Sequence, residues 1–241
     1  MRVVSLVPSA TETLLALGVT PVACTRFCEQ PTLAHVGGTK NPDVGAIVAL
    51  APDVVVVNDE ENRREDADAL EGAGLSVHSM SPRAVDEVGP AVVALAERVG
   101  VAAPDGFAPA AWADRLVAER GRVTERRSCV VFIWRRPWMT LAGDTYGASL
   151  LDVLGLDHIA VAPAAPDDAA RYPETTLEDV AAKKPAVALL PSEPYAFKES
   201  HRDDVQAALP DAAVRLVDGR DLFWWGIRTP DALARLRALL S

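Results

Sequence analysis

The chain has 241 residues, of which 49% are hydrophobic and 24% are charged, a globular composition that suffices for one large α/β domain or for two lobes. Its formal net charge of −10 argues against nucleic-acid binding, which needs a concentrated basic face. No apolar run approaches the ~18 residues of a transmembrane helix, so we expect no membrane insertion.

The first nine residues, MRVVSLVPS, enter a strand at once and lack the charged and apolar regions of a secretory signal peptide. We therefore expect a cytoplasmic protein, with an extracytoplasmic location as the alternative if a signal segment was trimmed or missed. Three cysteines outside any disulfide framework fit a reducing compartment.

Strand and helix patterns alternate through the first 80 residues. Residues 2–7 predict a strand, and the sequence SATE at 9–12 predicts a capping box for a helix over 11–17 that ends at Gly18. Further strands are predicted at 19–24, 52–57 and 75–79, and further helices at 44–50 and 62–73. The apolar run at 52–57 is typical of a parallel sheet that is covered on both faces.

Two helical patterns, split at 100–109, occupy residues 82–127, and the second has the apolar spacing of a long amphipathic helix from about 109 to 127. Strand and helix patterns then alternate again over 129–134, 150–154, 177–182, 186–190 and 214–217, and a helix at 230–240 ends the chain. We expect an exposed loop at 160–170. The predicted fold class is α/β, with two Rossmann-like α/β lobes joined by a single long rigid helix. The predicted domains are an N-terminal lobe at 1–105, the connecting helix at 106–128 and a C-terminal lobe at 129–241.

Four of the five tryptophans lie in two short segments, WRRPW at 134–138 and FWWGIR at 223–228, each just after a predicted buried strand. Tryptophan offers a broad apolar face and one N–H donor, and the neighbouring arginines offer paired donors for carboxylate, amide or phosphate groups. From the residues alone, these rings either cap the core or form a binding surface, and both interpretations stay open.

The carboxyl ends of the predicted strands favour a binding surface, because ligands gather there in open parallel sheets. These ends are predicted at 8–9, 26–28, 58–62, 134–135, 191–193 and 218–225. If both lobes turn these edges toward each other, they share one cleft.

Dedicated enzyme motifs are absent from the sequence: it has no nucleotide-binding glycine motif, no nucleophile elbow and no HExxH zinc motif. Cys24 and Cys28 with His35 fit no zinc pattern, so we predict no metal site and no catalytic residue. Cys28 is instead predicted to be a single cleft residue. An enzyme built on the same fold, the alternative, would use Glu61, Cys28 or Asp144 as acid, base or nucleophile.

Seven sequence blocks carry a resemblance to a known family. They are VSLVPSATE at 4–12, IVALAPDVV at 47–55, NDEENRRED at 58–66, IWRRPWMT at 133–140, GDTY at 143–146, RYP at 171–173 and PSEPY at 191–195. With these blocks, which run nearly end to end, the chain resembles the cobalamin- and siderophore-binding solute receptors of ABC transporters. That class III group of periplasmic binding proteins, the helical-backbone metal receptors, has one rigid helix between two α/β lobes.

The resemblance implies a small-molecule binding protein that holds a bulky planar ligand in the interlobe cleft by aromatic stacking and arginine contacts. The implied ligand is a corrinoid, a haem-like compound or a metal chelate, with no built-in cofactor, and the implied partners are an ABC permease and its ATPase. The alternatives are a cytosolic enzyme, or a chaperone or sensor without transport, on the same fold. The predicted ligand-binding residues, all expected at the cleft, are Phe27, Cys28, Asn58, Glu61, Asn62, Trp134, Arg135, Trp138, Tyr146, Tyr172, Glu193, Tyr195, Phe223, Trp224 and Trp225.

Two positions depart from the cobalamin receptors that the chain resembles. Asn58 stands where those receptors have a tryptophan after the third strand, and Arg64 beside Glu65 stands where a lobe-tip glutamate docks on transporter arginines. The first departure predicts a ligand other than cobalamin in its usual pose. We also expect the second lobe to supply the indoles at 134, 138 and 223–225, the first lobe to supply a more polar wall, and the cleft to be pre-formed.

Overall fold

The computed structural model describes residues 1–159 and 171–240, so the loop predicted at 160–170 lies outside the described residues. The chain divides into two compact units, each built from segments that are distant in sequence. The first unit contains Met1–Pro82, Asp86–Trp112 and Trp225–Arg228, and the second contains Arg83–Val85, Ala113–Trp224 and Thr229–Ser241. Both units combine helices with a sheet that has parallel strands, which confirms the predicted α/β class.

The sheet of the first unit consists of five parallel strands, all short. They are β1 (Val3–Ser5), β2 (Ala23–Cys24), β3 (Ala34–His35), β4 (Val54–Val57) and β5 (Val77–Ser79), and their order in the sheet is β3-β2-β1-β4-β5. Strand β4 consists of four buried valines, as expected for a strand that is covered on both faces. The carboxyl ends of these parallel strands therefore form one edge of the sheet.

Helices α1 (Pro8–Ala16), α2 (Val44–Ala49), α3 (Arg64–Gly72) and α4 (Val85–Val99) follow or precede these strands, and α5 (Pro109–Arg120) begins in the first unit. Helix α4 approaches α5 closely at Gly89, where a Cβ atom would lie 2.4 Å from Cγ of Trp112. Helix α5 is shorter than predicted: it ends at Arg120, and a turn leads from there to the next strand, which begins at Arg127.

The start of α1 contradicts the predicted capping box. The helix begins at Pro8, its N-cap is Val7, and no side chain caps it, so Ser9 lies inside the helix. Proline suits the first helical position because its φ angle is already helical and its missing N–H needs no partner. Glu12, predicted to cap the helix, instead accepts hydrogen bonds from Arg228. The predicted end is confirmed, since Gly18 follows the helix with a φ angle of 78°.

The sheet of the second unit mixes parallel and antiparallel strands. Its strands are β6 (Arg127–Trp134), β7 (Trp138–Thr140), β8 (Leu156–His158), β9 (Glu174–Thr175), β10 (Val187–Pro191) and β11 (Ala213–Val217). The order is β11-β10-β6-β7-β9, with β8 also paired to β6. Strands β6, β8, β10 and β11 are parallel, whereas β7 and β9 run antiparallel to their neighbours.

The helices of the second unit are α6 (Tyr146–Val153), α7 (Leu177–Ala182), α8 (Glu199–Ala208), α9 (Gly219–Phe223) and α10 (Thr229–Leu240). The unit's core joins α7 and α8 to the central strands through Val180, Val205, Phe132 and Leu190. In the described part of the chain, no helix combines the length and the apolarity that crossing a membrane requires.

Candidate functional site

Five side-chain rings of the second unit contact one another near the carboxyl ends of β6 and β10. We name them the aromatic row: Trp134, Trp138, Tyr195, Phe197 and His201. Trp134 meets Tyr195 edge-on with ring centroids 5.5 Å apart, and Tyr195 lies 4.8 Å from Phe197 and 5.5 Å from His201. Phe197 stacks on Trp138 at 6.0 Å with an interplanar angle of 8°. The rings form one continuous set of contacts, in which Phe197 is buried and Trp134 is the exposed end.

An irregularity in the β6–β7 pairing explains why one end of the row faces solvent. Phe132 pairs with Thr140 and Trp134 pairs with Met139, so the register shifts by one residue between the two pairs. Such a bulge bends a strand and redirects its side chains. Trp134 is accordingly 42% exposed, whereas Trp138 is half-buried and lies 4.9 Å from the core ring of Phe132.

Arg135 adds a cation beside the row. Its guanidinium carbon lies 5.6 Å from the centroid of the Trp138 ring, a cation–π contact, and its Nη2 donates to Oδ2 of Asp204 at 2.8 Å. A guanidinium has five N–H donors, so one hydrogen bond to Asp204 leaves further donors beside the aromatic surface.

The geometry of His201 favours stacking over metal binding. Its Nδ1 accepts a hydrogen bond from the backbone N–H of Lys198 at 3.1 Å, so the proton of the neutral ring lies on Nε2. A metal-bound histidine normally donates from its second nitrogen, which this arrangement prevents. Within residues 1–159 and 171–240, no group of three or more histidine, cysteine or acidic side chains is arranged to hold a metal ion.

Three other predicted residues of the second unit pack within it. Tyr146 is buried at the start of α6, and its hydroxyl shares a hydrogen bond of 3.0 Å with that of Thr229. The half-buried ring of Phe223 lies against α6, 3.4 Å from where a Cβ on Gly147 would stand. Glu193 packs against the first residue of α9, so these three positions support the unit's own packing.

The Trp224–Trp225 pair is divided between the units. Trp224 belongs to the second unit, where it is half-buried, and Trp225 is buried in the first unit. The expectation that both indoles come from the second lobe is therefore wrong. The physical reason lies in the next residues, because Ile227 donates its backbone N–H to Thr13 and Arg228 binds Glu12 through two hydrogen bonds of 2.7 and 2.9 Å. Tyr172, also predicted as a contact, is half-buried in the second unit.

In the first unit, Asn58 and Asn62 hold a tight turn after β4. The Asn58 side chain donates to the carbonyl of Met80 at 3.0 Å and accepts from the backbone N–H groups of Glu60 and Glu61 at 2.8 and 3.0 Å. Asn62 accepts from the N–H of Asn58 at 2.9 Å. Both asparagines are buried. Asn58, which departs from the tryptophan of the cobalamin receptors, thus has a defined structural role in closing this turn.

Glu61 lies on the same turn, and its carboxyl group has a raised pKa. More than a third of the residue is solvent-exposed, yet its carboxyl is crowded enough by protein that desolvation raises its pKa. The charge of Lys40 opposes this rise, and the charge of Glu60 adds to it. Lys40 also donates a hydrogen bond to the backbone carbonyl of Glu60, which holds the cation at this end of the sheet.

Cys28 is buried, with its Sγ atom 3.2 Å from the hydroxyl oxygens of both Thr11 and Thr25. The neighbouring Cys24 is also buried, and its pKa is raised to about 12, chiefly by burial and further by Cys28. Phe27, between Thr25 and Cys28 in sequence, is half exposed instead. Phe27, unlike Cys28, is therefore accessible from solvent.

Sequence reasoning missed Phe197 and His201. Phe197 follows Tyr195 by two residues, a spacing that can place two rings on one side of an extended segment, and this signal was available. His201 gave no such signal, because the helix that carries it, α8, was not predicted from the sequence.

Comparison with known proteins gives a family match and several solved structures of similar fold. The family model described as periplasmic binding protein matches residues 3–207. The solved structure of the periplasmic vitamin B12-binding protein BtuF of Vibrio cholerae aligns with a TM-score of 0.78 at 20% identity, covering 99% of this chain and 96% of that one. A periplasmic haem-binding protein from Pseudomonas aeruginosa aligns with a TM-score of 0.78 at 22% identity, over 99% and 91% of the two chains. An ABC transporter substrate-binding protein from Listeria monocytogenes gives 0.72 at 14% identity, over 99% and 97%.

These findings overturn one prediction and confirm another. The cytoplasmic location is wrong, because the matching family and the Vibrio and Pseudomonas proteins are periplasmic. That prediction rested on the first nine residues and on three unpaired cysteines, neither of which determines the compartment. The resemblance to the class III solute receptors is confirmed by both the family match and the fold. The chain belongs to the periplasmic binding protein family.

Proposed function

We propose that the chain is a receptor that binds a flat, bulky, metal-containing ligand of the corrinoid or haem class on its aromatic row. The observation that carries the proposal is the exposed end of the row, where Trp134 is 42% exposed and stands edge-on to Tyr195 at the carboxyl ends of two strands. The vitamin B12-binding and haem-binding proteins with the same fold agree with this ligand class.

The row suits such a ligand on energetic grounds. Burial of apolar surface contributes about 25 cal/mol per Å², and a stacked aromatic contact adds about 0.5–1.5 kcal/mol. Trp134 packs edge-on against Tyr195, which in turn contacts the buried ring of Phe197, so the exposed indole loses little side-chain freedom when a ligand covers it. Arg135 supplies polar donors beside the rings and would orient an amide or acid group of the ligand.

The surroundings of two residues considered for catalysis support binding rather than an enzyme. The thiol of Cys28 is buried between two threonines, and the carboxylate of Asp144 is held by Arg171 at 3.3 Å. Cys28 is therefore not an exposed nucleophile, and the carboxylate of Asp144 already forms an ion pair. The remaining predicted contacts, including Phe27, Glu61 and Trp224, stay predictions.

We further propose that the receptor passes its ligand to an ABC permease. The Listeria protein with the same fold is a substrate-binding protein of such a transporter. Deleting the gene in its host should lower ATP-dependent uptake of the ligand, and reintroducing it should restore uptake. Unchanged uptake in the deletion strain would favour a receptor that acts without transport.

Titration of tryptophan fluorescence with haemin, hydroxocobalamin and a ferric siderophore tests the binding proposal. We expect saturable quenching by haemin or by the corrinoid, and a loss of about tenfold or more in affinity for Trp134→Ala. Val117→Ala is the matched control, because Val117 is a 70% exposed apolar residue on α5 and lies outside the row. Absence of binding by every probe, or wild-type affinity in Trp134→Ala, would contradict the proposal.

A further inference from the structure

A histidine of the second unit supports the exposed end of the aromatic row. The His201 ring lies 5.5 Å from the Tyr195 ring and 5.8 Å from the Phe197 ring, which it meets at 89°. Tyr195 in turn meets the exposed indole of Trp134. Within the part of the chain that the structure describes, the Tyr195 hydroxyl forms no hydrogen bond, so contacts between rings restrain its side chain. His201 therefore acts on Trp134 through Tyr195.

One hydrogen bond fixes the ring of His201. Helix α8 begins at Glu199, with Lys198 as its N-cap and His201 in its first turn. Nδ1 of His201 accepts the backbone N–H of Lys198 at 3.1 Å. A side chain that reaches back in this way satisfies an N–H group for which the helix itself has no carbonyl. The bond requires an unprotonated Nδ1, so it exists only while the imidazole is neutral.

Protonation of His201 would break this bond. An imidazolium carries a proton on both ring nitrogens, so Nδ1 would turn a donor toward the N–H donor of Lys198. The helix macrodipole also opposes a cation in the first turn of α8. The charged ring must therefore leave its position against Lys198, and Tyr195 then loses one of its three ring contacts. Histidine is the side chain that changes charge between pH 5 and 8.

The surrounding charges do not offset this loss. The titratable and charged groups of α8 and of the elements that pack against it are Arg135, Arg136, Glu178, Asp179, Glu193, Tyr195, Lys198, Glu199, Arg202, Asp203, Asp204 and Arg215. Five cations and six carboxylates make this set nearly neutral. The carboxylates of α8 already bind arginines: Glu199 and Asp203 bind Arg202 at 2.6 and 3.2 Å, and Asp204 binds Arg135 at 2.8 Å. Among the described residues, no carboxylate forms an ion pair with His201.

We propose that neutral His201 is a positioning residue that holds Tyr195, and through it Trp134, in the geometry that receives the ligand, and that protonation of His201 releases both rings. The inference rests on the proposed function, because it concerns the affinity of the same aromatic row. The ordered row is present at pH 7.5, where the imidazole is neutral, and is lost as the pH falls toward 5.5. Since only the ordered fraction binds, the affinity falls with that fraction.

Heteronuclear NMR of the ligand-free protein tests the coupling between His201 and the row. We expect the indole N–H resonance of Trp134, assigned by its absence in Trp134→Phe, to shift between pH 7.5 and 5.5 together with the Lys198 amide. In His201→Gln it should move less than about half as far, because a glutamine in the first turn accepts the same N–H but takes up no proton.

Two other histidines are separated from this effect. His35→Gln removes an exposed histidine from β3 of the first unit, so its Trp134 resonance should shift as in the wild type. His158 stays largely neutral over the same range, because burial lowers its pKa to about 4.

Titration with haemin and hydroxocobalamin measures the consequence for binding. Between pH 7.5 and 5.5 the wild type should lose about threefold to tenfold more affinity than His201→Gln for the probe that it binds. Comparing the two proteins at each pH cancels any titration of the probe itself. Equal losses of affinity in the two proteins would overturn the inference.

The ligand-free measurement separates this inference from the proposed function. An indole shift of the same size in wild type and His201→Gln would overturn the role of His201 whether or not a ligand binds. A shift that depends on His201 in a protein that binds neither probe would support the positioning of Trp134 by His201 and refute the proposed function.

Discussion

His158 is expected to make the protein less stable as the pH falls from 7.5 to 4.5. The residue lies in β8, where burial lowers its pKa from 6.5 to about 4. Its Nε2 accepts a hydrogen bond from the backbone N–H of Val131 at 3.4 Å and lies 3.3 Å from the Thr140 hydroxyl oxygen, so protonation of Nε2 would break the bond to Val131. The unfolded chain therefore takes up the proton first, and stability that is fully present above pH 6.5 is lost as the pH falls toward 4. Linkage gives a loss of about 1.4 kcal/mol at pH 5.5 and about 2.5 kcal/mol at pH 4.5.

Urea unfolding of wild type and His158→Asn at pH 7.5, 5.5 and 4.5 measures this contribution. Subtracting the two pH profiles cancels the other titrating groups, including the acidic side chains of Asp144, Asp152 and Asp157 near His158. We expect the wild type to lose about 2.5 kcal/mol more than the variant between the extremes. Parallel profiles would refute the reasoning, because they would mean that His158 binds its proton equally in both states.

Three further predictions concern packing. Gly226→Ala should lower the melting temperature more than Gly18→Ala. Both glycines have positive φ angles, but a Cβ atom at 226 would also lie 2.2 Å from the Thr13 hydroxyl oxygen, whereas one at 18 would contact nothing. Equal shifts in melting temperature would contradict this prediction. Arg228→Ala should cost about 1–2 kcal/mol, since it strips two hydrogen bonds from the partly buried carboxylate of Glu12, and Arg228→Lys should recover only part of it in the same thermal melts. All three cysteines are buried free thiols, so a disulfide reagent should label the native protein slowly and all three thiols after unfolding; rapid native labelling would show that burial does not protect them.

The sequence predicted the parts of the fold that rest on apolar patterning. The valine run of β4 and the α/β alternation were visible because a parallel strand covered on both faces needs a continuous apolar stretch. The capping box failed because SATE satisfies the pattern while Pro8, one residue earlier, starts the helix. Local sequence could not reveal that Glu12 has a partner more than two hundred residues away.

The candidate site was predictable only in part for the same reason. Trp134 is predicted because it follows a buried strand and Tyr195 because it lies in the block PSEPY, but their contact depends on a register shift between β6 and β7 that the sequence does not indicate. Asn58 is predicted as a ligand contact because it follows a strand, and the structure adds that its amide binds Met80 and backbone N–H groups of its own turn.

Hydroxyl-radical footprinting with and without ligand tests the central claim most directly. Trp134 is exposed and should oxidise readily in the free protein, whereas saturating haemin or hydroxocobalamin should protect it several-fold. Met1, which is 62% exposed, should oxidise equally in both states and serves as the internal reference. Unchanged oxidation of Trp134 in a protein that has demonstrably bound its ligand would show that the aromatic row is not the binding surface.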